Sequence, residues 1–289
     1  MDSITHTLFG LALYGTVEKR NMERKQKLAW LVTSVGASHI PDIDVVSQLW
    51  DLHGQYQMWH RGLTHSLFFT PIWAFLFYIL AIWLFKTKDI KLFLFGWLAV
   101  LIHITTDFCN AWGTGYLEPL SHKRISFGTI PIVDLVFWVI ILAAFLFTRR
   151  NQAREPFYYR AGWVLIAFHV FTQSLQGYFL FSSYEKQHEQ IALSADFFPT
   201  SFTVITKDHT NVTIYKDGLF EKRKELYKLY SAENTPLDNL FSKKPEAKTL
   251  YQWSPFVVIV NTHRRLGIYD PRFYRNGQSF LYEYISKVK

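Results

Sequence analysis

The chain has 289 residues, of which 49% are hydrophobic, and a formal net charge of +8. Its basic residues are spread over short loops and a mixed carboxyl-terminal part. They do not form the clustered stripe that nucleic-acid binding requires, and we expect no nucleic-acid partner. The single cysteine, Cys109, excludes an intrachain disulfide and a four-cysteine zinc site. Any metal would therefore be held by nitrogen and oxygen atoms.

All long apolar runs lie within residues 1–181, whereas residues 182–289 are mixed and polar. This difference in composition predicts a helical membrane domain in 1–181, followed by an extramembrane domain in 182–289. The first residues lack the basic segment and the cleavage site of a signal peptide, so we expect them to remain in the mature protein.

Six apolar segments predict an α-helical multi-pass membrane bundle. A helix needs about 20 apolar residues to cross the hydrocarbon core, and the segment 66–85 meets this requirement without any charged residue. The first two segments have only about 13 or 14 residues, a length typical of half-inserted helices or of helices packed inside the bundle. The six segments are 4–17, 28–40, 66–85, 92–108, 130–147 and 161–181.

The distribution of basic residues assigns sides to the loops. Twelve Lys and Arg residues lie in the loops after the first, third and fifth helices, whereas only Arg61, Lys123 and Arg124 lie in those after the second and fourth. By the positive-inside rule, the first group is cytoplasmic. We therefore expect the loops 41–65 and 109–129, and with them the carboxyl-terminal domain, to be extracytoplasmic in a multi-pass protein of the cell membrane.

Two pairs of ligand-type residues lie at the predicted extracytoplasmic helix ends. An apolar helix ends at Pro41, and Asp42 and Asp44 follow it, although an isolated P-D-x-D is as often a solvated turn as a site. His103 and Asp107 share one helical face, and an aspartate inside an apolar span normally has a partner. Their alternative role is an internal hydrogen bond that fixes helix packing.

The segment 60–66, H-R-G-L-T-H-S, is the most informative one, because it places two histidines where an uncharged span begins. Imidazole nitrogens are among the commonest ligands of metals in proteins. His60 and His65 could instead be surface histidines, but the compact polar turn around them favours metal ligation. His6, one turn into the first helix, is expected on the same side and joins the set.

The motifs T-H-T-L-F-G at 5–10, P-D-I-D at 41–44, H-R-G-L-T-H-S at 60–66, H-I-T-T-D at 103–107, W-G-T-G at 112–115 and I-P-I-V-D at 130–134 occur in this order. Together they resemble the bacterial membrane-bound metal-dependent hydrolases of the YdjM/YbcI/YfhP type, and the polar carboxyl-terminal region is similar to that of the YfhP-like branch. The resemblance covers about residues 1–140. It implies a multi-pass membrane protein with hydrolase chemistry at a metal centre, but no substrate.

The resemblance and the residue types together give seven candidate metal ligands. One catalytic zinc uses three protein ligands and an open position, so either two ions bind or some of the seven act as bases or support the ligands. Histidine and carboxylate without thiolate suit zinc, manganese or iron, and we expect zinc. The candidates are His6, Asp42, Asp44, His60, His65, His103 and Asp107.

A divalent ion lowers the pKa of its water towards 7, and Asp44 or Asp107 could then accept the proton. Arg61, with Lys123 or Arg124, could hold an anionic group such as phosphate. Because the site would lie at the surface of the lipid bilayer, we expect an amphiphilic ester or phosphoester as the substrate. The alternative is a non-enzymatic membrane sensor or regulatory protein, in which a structural metal ties helices together.

The carboxyl-terminal domain is predicted to be small and α+β, and we expect it to cover the site or to select the substrate. The segment 219–230 has apolar residues at helical spacing and predicts a helix, whereas 235–248, with two prolines, predicts a loop. Short strands are predicted at 201–206, 212–215 and 256–260, with a hairpin turn at 208–211.

Overall fold

The computed structural model describes residues 1–287, with a helical amino-terminal half and a carboxyl-terminal β-sheet domain. All six predicted apolar segments form helices. An additional 3-10 helix, Ile40–Trp50, follows α2 in a part of the chain that was predicted as a loop. The helices of this half are α1 Ser3–Gly15, α2 Arg24–Ala37, α3 Tyr56–Trp59, α4 Thr70–Phe85, α5 Ile90–Phe108, α6 Leu135–Arg150 and α7 Glu155–Glu185.

Among residues 1–287, three helical segments are long and apolar enough to cross a membrane: Leu67–Phe85, Ile90–Phe108 and Gln152–Glu185. The predicted number of about six spans is therefore not confirmed. The helices α1, α2 and α6 have 13, 14 and 16 residues. At a rise of 1.5 Å per residue each is at most about 24 Å long, which is less than the roughly 30 Å of the hydrocarbon core.

The helix α6 is shorter than predicted because Asp134 caps it. The Asp134 side chain accepts a hydrogen bond from the backbone N–H of Val136, so the helix begins only at Leu135. The other side-chain oxygen of Asp134 lies 2.8 Å from Nε2 of His169 in α7. This contact ties the start of α6 to the middle of α7.

The helix α4 has an apolar face that no other part of the described chain covers. Its buried residues Ala74, Phe77 and Ala81 are spaced for one helical face, which packs against α2 and α5. An exposed apolar face on a long helix is what a bilayer would cover. The large exposed residues of α4 are Ile72, Phe75, Leu76, Ile79, Trp83 and Leu84.

The carboxyl-terminal domain contains three antiparallel sheets. They are a four-stranded sheet with the order β1-β2-β3-β4, a three-stranded sheet with the order β5-β6-β9, and the two-stranded pair β7-β8. The predicted strands and the hairpin turn between β2 and β3 are present. The strands are β1 Gln190–Ala195, β2 Ser201–Asp208, β3 Asn211–Gly218, β4 Lys224–Tyr230, β5 Val258–Asn261, β6 Arg265–Tyr269, β7 Tyr274–Arg275, β8 Gln278–Ser279 and β9 Tyr282–Ser286.

Two predictions for this domain are wrong. The segment 219–230 is not a helix, because its second half forms β4, in which Tyr227 and Leu229 alternate with polar residues and pack on the sheet core. The segment 235–248 is not a loop, because it contains α8 (Asp238–Lys243) and the first four residues of α9 (Pro245–Trp253). A proline in the first turn of a helix is compatible with the helix, since its missing N–H would have no partner there.

The two halves of the molecule are joined by a buried contact. The guanidinium of Arg272 donates to the backbone carbonyl of Ala111 and pairs with Asp270 at 2.6 Å. Beside it, the rings of Trp112 and Trp253 are 4.9 Å apart. The β-sheet domain is therefore packed against Ala111 and Trp112, which follow the end of α5.

Candidate metal centre

Three chain segments bring acidic and imidazole side chains to one end of the helical half. The helix α2 ends at Ala37, and Pro41 lies in the first turn of the 3-10 helix Ile40–Trp50, which carries Asp42 and Asp44. The helix α5 contributes His103 and Asp107, both buried.

The third segment is the turn 60–66, which precedes α4. Arg61 adopts a positive φ of 57° there, a conformation uncommon for residues other than glycine. His65 lies in a short 3-10 helix, Leu63–His65, and its side chain is fully buried.

Four donor atoms from these segments form a tight cluster, which we call the four-donor cluster: Asp42 Oδ1, His65 Nε2, His103 Nε2 and Asp107 Oδ2. All four lie within 4.8 Å of one another. The His65 nitrogen is 3.3 Å from Asp42 and 3.4 Å from Asp107, and the His103 nitrogen is 3.7 Å and 3.5 Å from the same two oxygens. The two imidazole nitrogens are 3.1 Å apart.

The hydrogen bonds of the two rings define which nitrogens carry protons. Nδ1 of His103 donates to the backbone carbonyl of Ser38 at 2.7 Å, because a carbonyl can only accept. Nδ1 of His65 faces the Asp44 carboxylate at 3.2 Å and the Thr64 hydroxyl at 3.0 Å, which itself donates to Asp44. In a neutral ring, an Nδ1 that donates leaves Nε2 without a proton, so this arrangement would direct two Nε2 lone pairs into the cluster, as metal-binding histidines do.

Asp44 organises the histidine turn. Its Oδ1 accepts from Nδ1 of His60 at 2.8 Å, and its Oδ2 accepts from the backbone N–H of Arg61 at 2.9 Å and the hydroxyl of Thr64 at 2.6 Å. Burial alone would raise the pKa of Asp44, but the hydrogen bonds from His60 and His65 outweigh it and hold that pKa below its usual range. Asp44 is thus an ionised carboxylate, and both of its oxygens accept hydrogen bonds.

The two carboxylate oxygens of Asp107 contact different groups. Its Oδ2 belongs to the four-donor cluster, whereas its Oδ1 contacts the amino group of Met1 and lies 3.6 Å from Nε2 of His6. The ring of His6 stacks on that of His103 with centroids 3.7 Å apart. Within residues 1–287 neither ring nitrogen of His6 has a hydrogen-bond partner, although the residue is fully buried.

Arg61 is buried and points into the site. Its Nε lies 3.3 Å from Asp107 Oδ2, and its terminal nitrogens donate to the side chain of Asn110 and to the carbonyl of Met1. Burial lowers the pKa of Arg61 to about 10, and it therefore stays charged at neutral pH. Arg124 donates to the backbone carbonyls of Arg61 and Met58, whereas Lys123 is exposed.

The donor set fits a divalent cation. Ligands at roughly 2.0–2.2 Å from a tetrahedral zinc ion are roughly 3.3–3.6 Å from one another. The five donor separations given above, 3.1–3.7 Å, are close to this range. Carboxylates outnumber the guanidinium here, which favours a cation. A second set of donors, Asp42, Asp44 and His60, shares Asp42 with the four-donor cluster.

The cluster opens towards one side. The Asp42 side chain is 22% exposed, whereas those of His65, His103 and Asp107 are 0% exposed. Beside Asp44 lies a cleft of about 950 Å³, lined by Ile43, Trp50, Trp59 and Leu63 among other residues. We call it the site cleft. A ligand with an apolar part can therefore lie next to Asp44, a member of the second donor set.

Sequence reasoning did not identify several residues that shape this centre. The Ser38 carbonyl and the Thr64 hydroxyl orient the two clustered imidazoles, and Asn110 holds Arg61. Thr64 could have been found from its place inside the histidine motif. A backbone carbonyl such as that of Ser38 leaves no signal in a sequence.

Known proteins match the helical half. The sequence profile of the YdjM inner membrane protein family matches residues 1–179. A protein of Bacillus subtilis (strain 168), described as uncharacterized protein YfhP, is 30% identical over 148 residues, which are 50% of this chain and 45% of that protein. The match thus spans about half of the length of the Bacillus subtilis protein. No solved structure matches.

Proposed function

This chain belongs to the YdjM inner membrane protein family, and from its buried four-donor cluster we propose that it is a membrane-embedded metal-dependent hydrolase. The observation that carries the proposal is the convergence of two imidazole Nε2 atoms and two carboxylate oxygens within 4.8 Å of one another. Zinc is the ion that we expect, with manganese or iron as alternatives, and the second donor set leaves room for another ion.

Asp42, His65, His103 and Asp107 would hold the ion. When bound, a divalent cation supplies Lewis acidity and makes water nucleophilic near neutral pH. Asp44 orients His60 and His65 through its hydrogen bonds.

Asp44 or Asp107 would accept the proton: both oxygens of Asp44 accept hydrogen bonds, and Asp107 Oδ1, which lies outside the four-donor cluster, contacts the amino group of Met1. Arg61 keeps a positive charge beside Asp107, which balances the carboxylates and attracts an anionic substrate group.

An amphiphilic ester or phosphoester is the substrate class that we propose. The site cleft combines apolar walls with polar groups such as Glu118 and His122. The donor-bearing 3-10 helix also exposes Leu49 and Trp50, side chains suited to a bilayer surface. By the positive-inside rule the site would face the extracytoplasmic side, with the β-sheet domain covering it.

Metal analysis of the purified full-length protein tests this proposal. We expect stoichiometric metal in the natural chain and its loss in the double variant His65→Ala/His103→Ala. His263→Ala, a change at an exposed residue of the β-sheet domain, should keep the metal. Lipid esters and phospholipids would then be screened with and without a chelator, and hydrolysis should follow the metal content. Full metal content in the double variant would contradict the proposal.

A structural metal in a non-enzymatic sensor or regulatory protein is the second candidate, and the deep burial of three of the four donor residues favours it. The two functions differ in whether the ion has a free coordination position. In the cobalt-substituted protein, a visible spectrum that changes with added azide would support the enzyme. A spectrum that does not respond would support the structural role.

A further inference from the structure

A groove of about 1160 Å³ runs along the membrane half, separate from the four-donor cluster. Its walls come from α1, α2, α5 and α7. Two of these helices, α5 and α7, belong to the three segments that can span a membrane. With these two helices across a membrane, the groove would open to the hydrocarbon of the bilayer.

The walls of the groove are mainly apolar. Phe95 and Leu98 of α5 face it together with Trp163 and Phe171 of α7. Leu98 is 46% exposed and Phe171 is 63% exposed, so the described chain leaves these side chains uncovered. An acyl chain would cover them.

One end of the groove is cationic. Lys91, near the start of α5, and Arg160, near the start of α7, both line it. The carboxylate there, Glu18, is already 3.6 Å from Nε of Arg20, and Arg160 donates to the carbonyl of Thr16 at 3.1 Å. Within residues 1–287, Lys91 has no ion pair.

The length of the groove suits a lipid tail. Lys91 and Thr106 delimit it on α5, and Arg160 and Ser174 delimit it on α7. The two pairs are separated by 15 and 14 positions, so at 1.5 Å per residue the groove is about 21 to 23 Å long. One leaflet contributes roughly 15 Å of hydrocarbon, and a chain that enters at the cationic end can lie inside the groove along its whole length.

We propose that this groove is a binding site for an anionic phospholipid, with its phosphate between Lys91 and Arg160 and an acyl chain along α5 and α7. Basic pockets between membrane helices bind anionic headgroups by charge. A zwitterionic lipid would fill the apolar part equally well but would gain less at the cationic end. The site is independent of the proposed hydrolase activity.

Tryptophan quenching by brominated lipids tests the site, because Trp30 and Trp163 line the groove. The full chain in detergent micelles would be titrated with phosphatidylglycerol or phosphatidylcholine brominated in mid-chain. We expect phosphatidylglycerol to quench at an at least fivefold lower mole fraction. Lys91→Gln and Arg160→Gln should each weaken quenching by phosphatidylglycerol about fivefold, since each such charge contributes about that factor.

Two controls locate the effect. The variant Lys86→Gln/Lys88→Gln removes two exposed charges from the same end of the molecule but from outside the groove, and it should keep the preference. Trp163→Phe should reduce the amplitude of quenching. Equal quenching by both lipids, equal losses in the control variant, or an unchanged amplitude in Trp163→Phe would each overturn the proposal. Within residues 1–287 the Lys91 side chain has no hydrogen bond or ion pair that Lys91→Gln would remove, so its result does not depend on the loss of such a bond.

Discussion

The Nε2 atoms of His65 and His103 face each other at 3.1 Å, although one belongs to the turn before α4 and the other to α5. Each ring uses its Nδ1 proton elsewhere, on Asp44 and on the Ser38 carbonyl. Two imidazole lone pairs at this distance repel each other unless a cation or a proton lies between them. A metal ion would therefore hold the turn 60–66 against α5 as well as serve chemistry.

Metal removal should lower the thermal stability of the protein. An ion that binds only the folded chain stabilises it by about 2.7 kcal/mol when its free concentration is 100 times its Kd. We expect a chelator to lower the unfolding temperature in detergent by several degrees and added zinc to restore it. His65→Ala should abolish the response. A chelator effect of equal size in that variant would show that the ion binds elsewhere.

Asp44→Asn should weaken metal binding without abolishing it. The amide keeps one acceptor oxygen, but its NH2 group cannot accept from His60 or from Thr64, so the turn loses part of its orientation. Groups that orient ligands are worth about 10–100-fold in metal affinity, a change measurable by competition with a zinc chelator. Complete loss of metal, equal to that in His65→Ala, would instead identify Asp44 as a ligand.

The sequence indicated where the candidate site lies because its residues occur in short local patterns. Asp42 follows a helix-ending proline, and His103 and Asp107 are one helical turn apart near the end of an apolar segment. These local patterns predict that all three residues lie close to helix ends. The sequence did not predict that Asp44 orients the histidines whereas Asp107 belongs to the four-donor cluster. This difference depends on hydrogen bonds between segments that are distant in the chain.

The fold was predictable to the same degree. Apolar runs located all six helices, but run length did not reveal that α6 begins only after Asp134, which caps its amino terminus. In the β-sheet domain, Leu226 and Tyr230 could lie on a helical face or on one side of a strand. The segment forms a strand because it pairs with β3, and such pairing between strands leaves no local signal in the sequence.

Cys109 should be almost unreactive towards maleimides in the folded protein. It is 6% exposed, and burial raises the pKa of its thiol to about 11, against hydrogen bonds that lower it. Compared with a thiol of pKa 9, this leaves about 100-fold fewer thiolates at pH 8. We expect slow labelling that becomes fast in denaturant. If Cys109 reacted as fast in the folded chain as an exposed cysteine introduced by Lys123→Cys, this burial would be contradicted.

Cysteine labelling also tests the orientation in the membrane. In a Cys109→Ala background, Lys123→Cys places a thiol in an exposed loop near the candidate site, and Lys88→Cys places one between α4 and α5. The positive-inside rule assigns these positions to opposite sides, and each variant removes only one basic residue from the charge bias. In spheroplasts of a bacterial host, a membrane-impermeant maleimide should label Lys123→Cys directly and Lys88→Cys only after permeabilisation. The reverse pattern would place the four-donor cluster on the cytoplasmic side, where an extracytoplasmic substrate could not reach it.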